Sequence, residues 1–320
     1  MSEPETPPTI EVEQGGNQGI QHFGHGNIVN TGAVGKGATV YRTTSREPRD
    51  RPRGAGEDRT SADVGVIVAT PREFAAVARA LAAGSDYRDD SRAEGTLVAE
   101  ATMPVPGGAV RVAALEATEQ GTLAAQTAYR RLTGFCAPSF VLLVGIAGGI
   151  DRSLGIGDVV LSDHIICYGS GKDTPDGRVI RGSGHQITDA ARERMNRFFA
   201  RDGRERRPLP LADATSAYLV HQGPVGSADT VVAWEDAQAR RFLKDFNDKT
   251  LAVEMEAAGV AAAFHSSAGS PHRPLGWFTV RGISDLADVA KKDEHQDLAA
   301  RHAADVMVRL LPFLRVTPPA

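Results

Sequence analysis

Four short clusters of this 320-residue chain combine small, acidic and hydroxyl-bearing residues. They are Ala69-Thr70-Pro71-Arg72-Glu73, Gly145-Ile146-Ala147-Gly148-Gly149, Val253-Glu254-Met255-Glu256-Ala257-Ala258 and Arg281-Gly282-Ile283-Ser284-Asp285. Carboxylates can move protons as general acids and bases, and they can stabilise positive charge developing on a sugar ring. Glu254 and Glu256 are two residues apart, so in an extended segment both would point to one side. A carboxylate buried there is costly unless a ligand or a structural partner meets it. Glu73 opens a helical pattern, where an acid either complements the helix dipole or faces a ligand. The glycines between 145 and 149 either make a tight connection or admit a ligand to the backbone. His164, His221, His265 and His295 show no metal-ligand spacing, and no helix carries a paired His/Glu motif.

Each cluster follows an apolar run. Val64 to Ala69 has the pattern of a short buried strand and precedes a helical stretch from Glu73 to Leu81. Val110 to Leu115 reads as a strand and Leu123 to Leu132 as a helix. Phe140 to Val144 is a strand ending in the glycine cluster, and Gly157 to Ser162 is another. Helices are expected over 188–200, 233–246, 256–266 and 294–313, and strands over 218–223, 250–254 and 276–283. Strands alternating with helices imply an α/β fold, a three-layer α/β/α sandwich around a mostly parallel sheet. In such sheets, sites form beyond the carboxyl ends of the strands, which is where the clusters fall.

Taken together, in this order and spacing, the clusters resemble the nucleoside phosphorylase superfamily, and within it the methylthioadenosine/S-adenosylhomocysteine nucleosidases. The resemblance runs over about residues 62–314. Its most specific pieces are Val253-Glu254-Met255-Glu256 and Arg281-Gly282-Ile283-Ser284-Asp285, supported by Gly148-Gly149 and Gly157-Asp158-Val159-Val160. The resemblance implies that Asp285, beside Ser284, gives a proton or a short hydrogen bond to N7 of a purine. It implies that Glu256 holds the ribose hydroxyls, with Met255 against the sugar and Glu254 in the same subsite. Glu73 matches the family's water-activating glutamate, and the glycines around Gly148 allow close approach. It implies a purine nucleoside or nucleotide as the small-molecule partner, a homo-oligomer, and no metal or cofactor.

Two features bear on the acceptor. Phosphorylases of this kind carry serine or threonine where this chain has Ile146 and Ala147, and Glu119 would repel phosphate if it pointed inward. Arg72, beside Glu73, is the contrary sign, since it either binds an anion or lies on the surface. Water is therefore the expected acceptor. On the base side, Gly226-Ser227-Ala228-Asp229-Thr230-Val231-Val232 resembles the base-contact loop, but Val231 stands where the nucleosidases present phenylalanine. That loss weakens base stacking and counts against a housekeeping methylthioadenosine activity. Asp229 is read as ordering this loop. Tyr168-Gly169-Ser170-Gly171-Lys172, with Arg178 and Arg181, is either an ordinary charged loop or the start of a phosphate-binding pocket for AMP or ATP. Trp234 and Trp277 are assigned to core or interface.

A hydrophobic share of 41% with 24% charged residues excludes a wholly disordered or membrane-spanning chain. A net charge of −4 argues against a general nucleic-acid binder. The run Phe140 to Ile150 is shorter than the roughly 20 residues a membrane helix needs. The acidic start Met1-Ser2-Glu3-Pro4-Glu5 is unlike a secretion signal. With Cys136 and Cys167 as reduced thiols, the expectation is a cytoplasmic protein without nucleic-acid or membrane partners.

Composition divides the chain near residue 62, giving an extension over 1–61 and a globular domain over 62–320. The extension has an acidic Pro-rich tail, an Arg-rich linker at 42–61 and, at 15–32, a Gly/Asn/Gln segment punctuated by β-formers. Ile20-Gln21, Gly24 and Asn27 resemble the short amyloid-signalling motifs that tether bacterial effectors to receptors; the other reading is a flexible leader. The leading expectation is thus a purine N-ribosyl hydrolase acting as a defence or signalling effector, with a signalling partner reached through 15–32. Its alternatives are a phosphate-dependent purine nucleoside phosphorylase, a housekeeping nucleosidase, and a nucleoside-sensing module that does not catalyse.

Overall fold

Val64-Gly65-Val66-Ile67-Val68 has no polar interruption, as befits a strand covered on both faces. In the computed structural model of the protein it forms β1 (Val64–Val68), buried throughout. The structure describes residues 62–91, 97–201, 209–210, 217–270, 273–287 and 295–316. The extension over 1–61, with its segment at 15–32, lies outside the described residues.

Helix α1 (Pro71–Leu81) begins where its sequence dictates. Thr70 is the N-cap, Pro71 supplies a preset φ, and Glu73 closes a capping box with Thr70. The chain continues through β2 (Ser85–Ser91), β3 (Leu97–Val105), β4 (Gly108–Glu116), α2 (Thr122–Cys136), β5 (Phe140–Gly149), β6 (Val159–Ser162) and β7 (His164–Cys167). Then come β8 (Gly171–Thr174), β9 (Gly177–Ile180), β10 (Ser183–Gln186), α3 (Asp189–Arg201), β11 (Leu209–Pro210), β12 (Ala217–Tyr218), β13 (Val220–Gln222) and β14 (Val225–Ser227). The last elements are α4 (Gln238–Phe246), β15 (Ala252–Glu254), α5 (Ala257–Ser266), β16 (Gly276–Asp285) and α6 (Gln296–Leu314).

The sheet branches at β5. Over Phe140 to Leu143, β5 lies between β1 and β16, both parallel to it, and β16 follows it on to Gly148. At its end, Gly148 and Gly149 pair antiparallel with Val253 and Ala252 of β15. One branch runs on through β15, β14, β7 and β10, the other through β16, β6 and β13. Beyond β1, the parallel centre continues into β4 and then an antiparallel margin of β3 and β2. Helix α6 packs on β16 and β5 and meets α1 and α3, while α2 packs on β1 and meets α5. This gives the expected three layers. Among the described residues no helix is long and apolar enough to cross a membrane.

Several boundaries differ from expectation for identifiable reasons. The strand expected to stop at Val144 continues to Gly149, because β16 and β15 pair with the glycine cluster and keep it extended. Helix α4 starts at Gln238 rather than 233, since Trp234 to Ala237 form a turn closed by the Ala237 amide on the Trp234 carbonyl. Trp234 is exposed there, whereas Trp277 is fully buried in the core. The region expected as one strand over 218–223 is two short ones, β12 and β13.

Gly259 decides how closely two helices approach. A Cβ at this position would fall on the Thr122 carbonyl oxygen, so α5 lies backbone to backbone against the start of α2. Replacing Gly259 with alanine is expected to cost about 1–3 kcal/mol of stability through overpacking. The check is the urea midpoint at unchanged m-value; an unmoved midpoint would show that the two helices are free to separate.

Candidate active site

Strand β16 reads Gly276-Trp277-Phe278-Thr279-Val280-Arg281-Gly282-Ile283-Ser284-Asp285, and all ten residues are buried. One of them is Arg281, with 0% exposure. A guanidinium removed from water costs several kcal/mol unless carboxylates meet it with good geometry. Three do. Arg281 Nη2 donates to Glu254 Oε2 and, at 3.0 Å, to Glu256 Oε2, while Nη1 lies 3.8 Å from Glu73 Oε1. Burial works against the charge of Arg281, but Glu254, Glu256 and Glu73 more than offset it and raise its pKa.

Each carboxyl group is also fixed by backbone. Glu73 Oε2 accepts from the amides of Ala69 (2.9 Å) and Thr70 (3.0 Å), and Oε1 accepts from Ile146 (2.8 Å). Glu73 therefore both caps its helix and bridges to β5. Glu254 accepts from the amides of Glu256 (3.0 Å) and Ala257 (2.9 Å), which anchors the start of α5. Its oxygens are thereby occupied by structure. Glu256 Oε1 accepts from the Gly121 amide at 2.9 Å. Gly121 has φ +102°, a conformation that glycine adopts without strain. Burial pushes the pKa of Glu256 up to about 7. Arg281 and the Gly121 amide pull it down, while Glu254 and Glu73 push with burial.

Asp285 ends β16. Its Oδ2 accepts from Ser284 Oγ and its Oδ1 from the Ala287 amide, each at 2.9 Å. A Cβ at Gly148 would meet Asp285 Oδ1 at 3.0 Å, so glycine here keeps β5 clear of that carboxyl. At Gly145 a Cβ would collide with both Arg281 and Glu73, so the ion cluster passes directly over that residue.

These elements surround a cavity of about 460 Å³. Glu73, Ile146, Gly148, Val231, Glu254, Met255, Glu256, Ser284 and Asp285, the residues singled out by sequence, all line it. The base-side loop is ordered as expected, because Asp229 Oδ1 accepts from the Thr122 amide at 2.7 Å. Val231 is 58% exposed, so this wall is open where an aromatic residue was missed.

Two alternatives that the sequence left open are resolved by position. Glu119 is exposed and does not line the cavity; its neighbour Gln120 does. Glu119 therefore does not repel an anion from the cavity. Lys172 and Arg178 lie on the exposed hairpin of β8 and β9, with Arg181 just beyond it, and none lines the cavity. Arg178 instead donates to the Gly169 carbonyl at 2.7 Å. Sequence reasoning gave Arg281 no role of its own, although a charge inside the apolar run 276–283 was the available sign. Gln120 and Gln296 were unassigned as well and now line the cavity.

A branched α/β/α sandwich with carboxyl groups gathered where its central strands end is the architecture of a large class of small-molecule enzymes. The family model described as the phosphorylase superfamily matches residues 63–312, and the chain belongs to that superfamily. The chain is 25% identical over 259 residues to the ATP nucleosidase Cap17 of Escherichia coli, an alignment covering 75% of this chain and 49% of that protein. It thus spans about half the length of that curated relative. It is 26% identical over 151 residues to the 5′-methylthioadenosine/S-adenosylhomocysteine nucleosidase of Staphylococcus saprophyticus, covering 47% of this chain and 58% of the relative. Among solved structures, the Colwellia psychrerythraea nucleosidase of the same name, in complex with adenine, matches with a TM-score of 0.60 at 21% identity. That match covers 80% of this chain and 96% of the other. The futalosine hydrolase of Helicobacter pylori matches with a TM-score of 0.59 at 15% identity, over 77% and 96% of the two chains.

Removing the central cation tests the cluster. Arg281→Gln leaves carboxyl groups buried without a countercharge and is expected to cost about 3–5 kcal/mol. Glu256, whose pKa burial raises to about 7 in the folded state, binds its proton more tightly there, so the stability it contributes is fullest at low pH and is lost as pH rises through about 7. Urea unfolding should show a smaller penalty at about pH 5 than at about pH 8. An equal penalty at both would remove the carboxylates from the account.

Proposed function

We propose that the domain is a purine nucleoside or nucleotide N-ribosyl hydrolase, which breaks the N-glycosidic bond with water. One observation carries this reading: the cavity is walled by the carboxyl groups of Glu73, Glu254, Glu256 and Asp285, and the buried cation is outnumbered by them. Departure of the base leaves positive charge on the ribose ring, and preorganised negative groups stabilise that charge most where water is excluded. An anionic acceptor such as phosphate would have to enter the same carboxyl-lined space. Ile146 and Ala147 offer it no side-chain donor, and Arg72, the cation on the cavity wall, pairs with Asp297 and Gln296 of α6. Water meets no such penalty.

In this reading Asp285, oriented by Ser284 and the Ala287 amide, protonates or hydrogen-bonds N7 of the leaving purine. Glu256 accepts from the ribose hydroxyls, and Met255 packs on the sugar. Glu73, held by three backbone amides, takes the proton from the attacking water. Glu254 positions Glu256 through the start of α5. The likeness to the curated nucleosidases supports the reaction class. The signalling reading rests on the segment at 15–32, and deletion of 1–61 tests it: loss of higher-order assembly supports it, and unchanged assembly removes it.

The reaction is checked by following free-base release from adenosine, AMP, ATP and methylthioadenosine, with and without phosphate. Base should appear without phosphate. Asp285→Asn should lower release by about 10²–10⁴-fold while leaving the far-UV spectrum intact. Release that requires phosphate would overturn hydrolysis.

The pH profile is a separate test. Glu256 must be ionised to accept strongly from hydroxyls, and its pKa is raised to about 7. Activity should climb as pH passes about 7, and Glu256→Gln should abolish that limb. A wild-type profile flat through neutrality would remove Glu256 from this role.

A further inference from the structure

The cavity is chemically divided. With a purine against Asp285 and the apolar side chains of Val231, Val232 and Val253, and its ribose on Glu256, the polar lining on the side of α1 and α6 is Thr70, Arg72, Gln120 and Gln296, with the small or apolar Ala69, Pro71, Ile146 and Ala147 also on the wall. Arg72 is the one cation among the described residues lining the cavity. Thr70 Oγ1 accepts from the Glu73 amide, which leaves its proton to donate inward. The Arg72 guanidinium donates to Gln296 Oε1, and its Nε lies 3.0 Å from Asp297 Oδ1. The side chains of that ion pair are 41% and 70% exposed. Pairs this exposed contribute little, so Asp297 is a weak competitor for a stronger anion.

A methylthio group would be mismatched here, since it would cover Thr70, Arg72, Gln120 and Gln296 without replacing their hydrogen bonds to water. A phosphate fits, because a guanidinium can grip two of its oxygens while hydroxyl and amide donors take the others. We infer that the site takes nucleosides bearing a 5′-phosphate, with Arg72 as the phosphate-binding residue. This rests on the hydrolase reading above and names its substrate class. The arrangement also assigns opposite roles along the cavity: carboxyl groups face the sugar, and donors face the 5′ group.

The test compares kcat/KM for AMP, adenosine and methylthioadenosine in the wild type, Arg72→Ala, Arg72→Lys and Asp297→Ala. The wild type should prefer AMP to methylthioadenosine. Arg72→Ala should lower the AMP-to-adenosine ratio at least tenfold, mainly through KM for AMP, and Arg72→Lys should recover part of it. Asp297→Ala should keep or raise that ratio, because it removes the competing carboxylate. If Arg72 served only to tie α1 to α6, Asp297→Ala would depress all substrates as Arg72→Ala does, and the inference would be overturned. A ratio unchanged by Arg72→Ala overturns it equally. If neither these three substrates nor ATP is cleaved, the hydrolase reading is what fails. Calorimetric binding of AMP against adenosine then decides the phosphate site, with AMP at least tenfold tighter in the wild type and no preference in Arg72→Ala.

Discussion

A guanidinium without solvent exposure, set in a fully buried strand, can exist only if carboxylates converge on it. Arg281 recruits them from three places: Glu73 from the start of α1, Glu254 from the end of β15, and Glu256 from the entry to α5. The surrounding architecture follows from this convergence. Gly145 must lack a side chain because the Glu73 and Arg281 groups pass over it, and β5 must stay extended through its glycines to carry that contact. The close approach of α5 to α2 at Gly259 then brings the Gly121 amide onto Glu256.

The same constraint gives the site its electrostatic character. One cation against several carboxyl groups leaves the cluster poorly neutralised, and burial expresses this as a Glu256 pKa near 7 rather than in the ordinary carboxylate range. A folded protein tolerates such a site because backbone amides share the cost: three on Glu73, two on Glu254 and one on Glu256. Those amides belong to strand ends and helix starts, so secondary structure places the charges as directly as the side chains do.

Much of this was legible in the chain. Runs such as Val64-Gly65-Val66-Ile67-Val68 can be little else than covered strands, and acids or glycines just past them marked the cavity wall. What stayed hidden depends on distant partners. Ser85-Asp86-Tyr87-Arg88-Asp89-Asp90-Ser91 is too polar to announce a strand and becomes one only by pairing with β3. The glycines at 145–149 read as a connection until β15 and β16 clasp them. Glu119 and Gln120 differ by one position, yet only Gln120 reaches the cavity, and no local pattern reveals which of two adjacent side chains turns inward. Arg281 is silent in sequence because its three partners lie from 25 to more than 200 residues away.

Glu73 has a consequence for reading other members of this superfamily. The side chain that faces the cavity also closes the capping box of α1 and bridges to the Ile146 amide. Selection for folding alone would preserve it in a descendant that had lost all turnover. A glutamate at this position is therefore weak testimony of activity in a relative. Among the described residues Asp285 caps no helix, and it accepts from Ser284 and the Ala287 amide close by in sequence, so less of the fold rests on it than on Glu73. On the role proposed for Asp285, retention of the aspartate is a better mark of a working copy than retention of the glutamate.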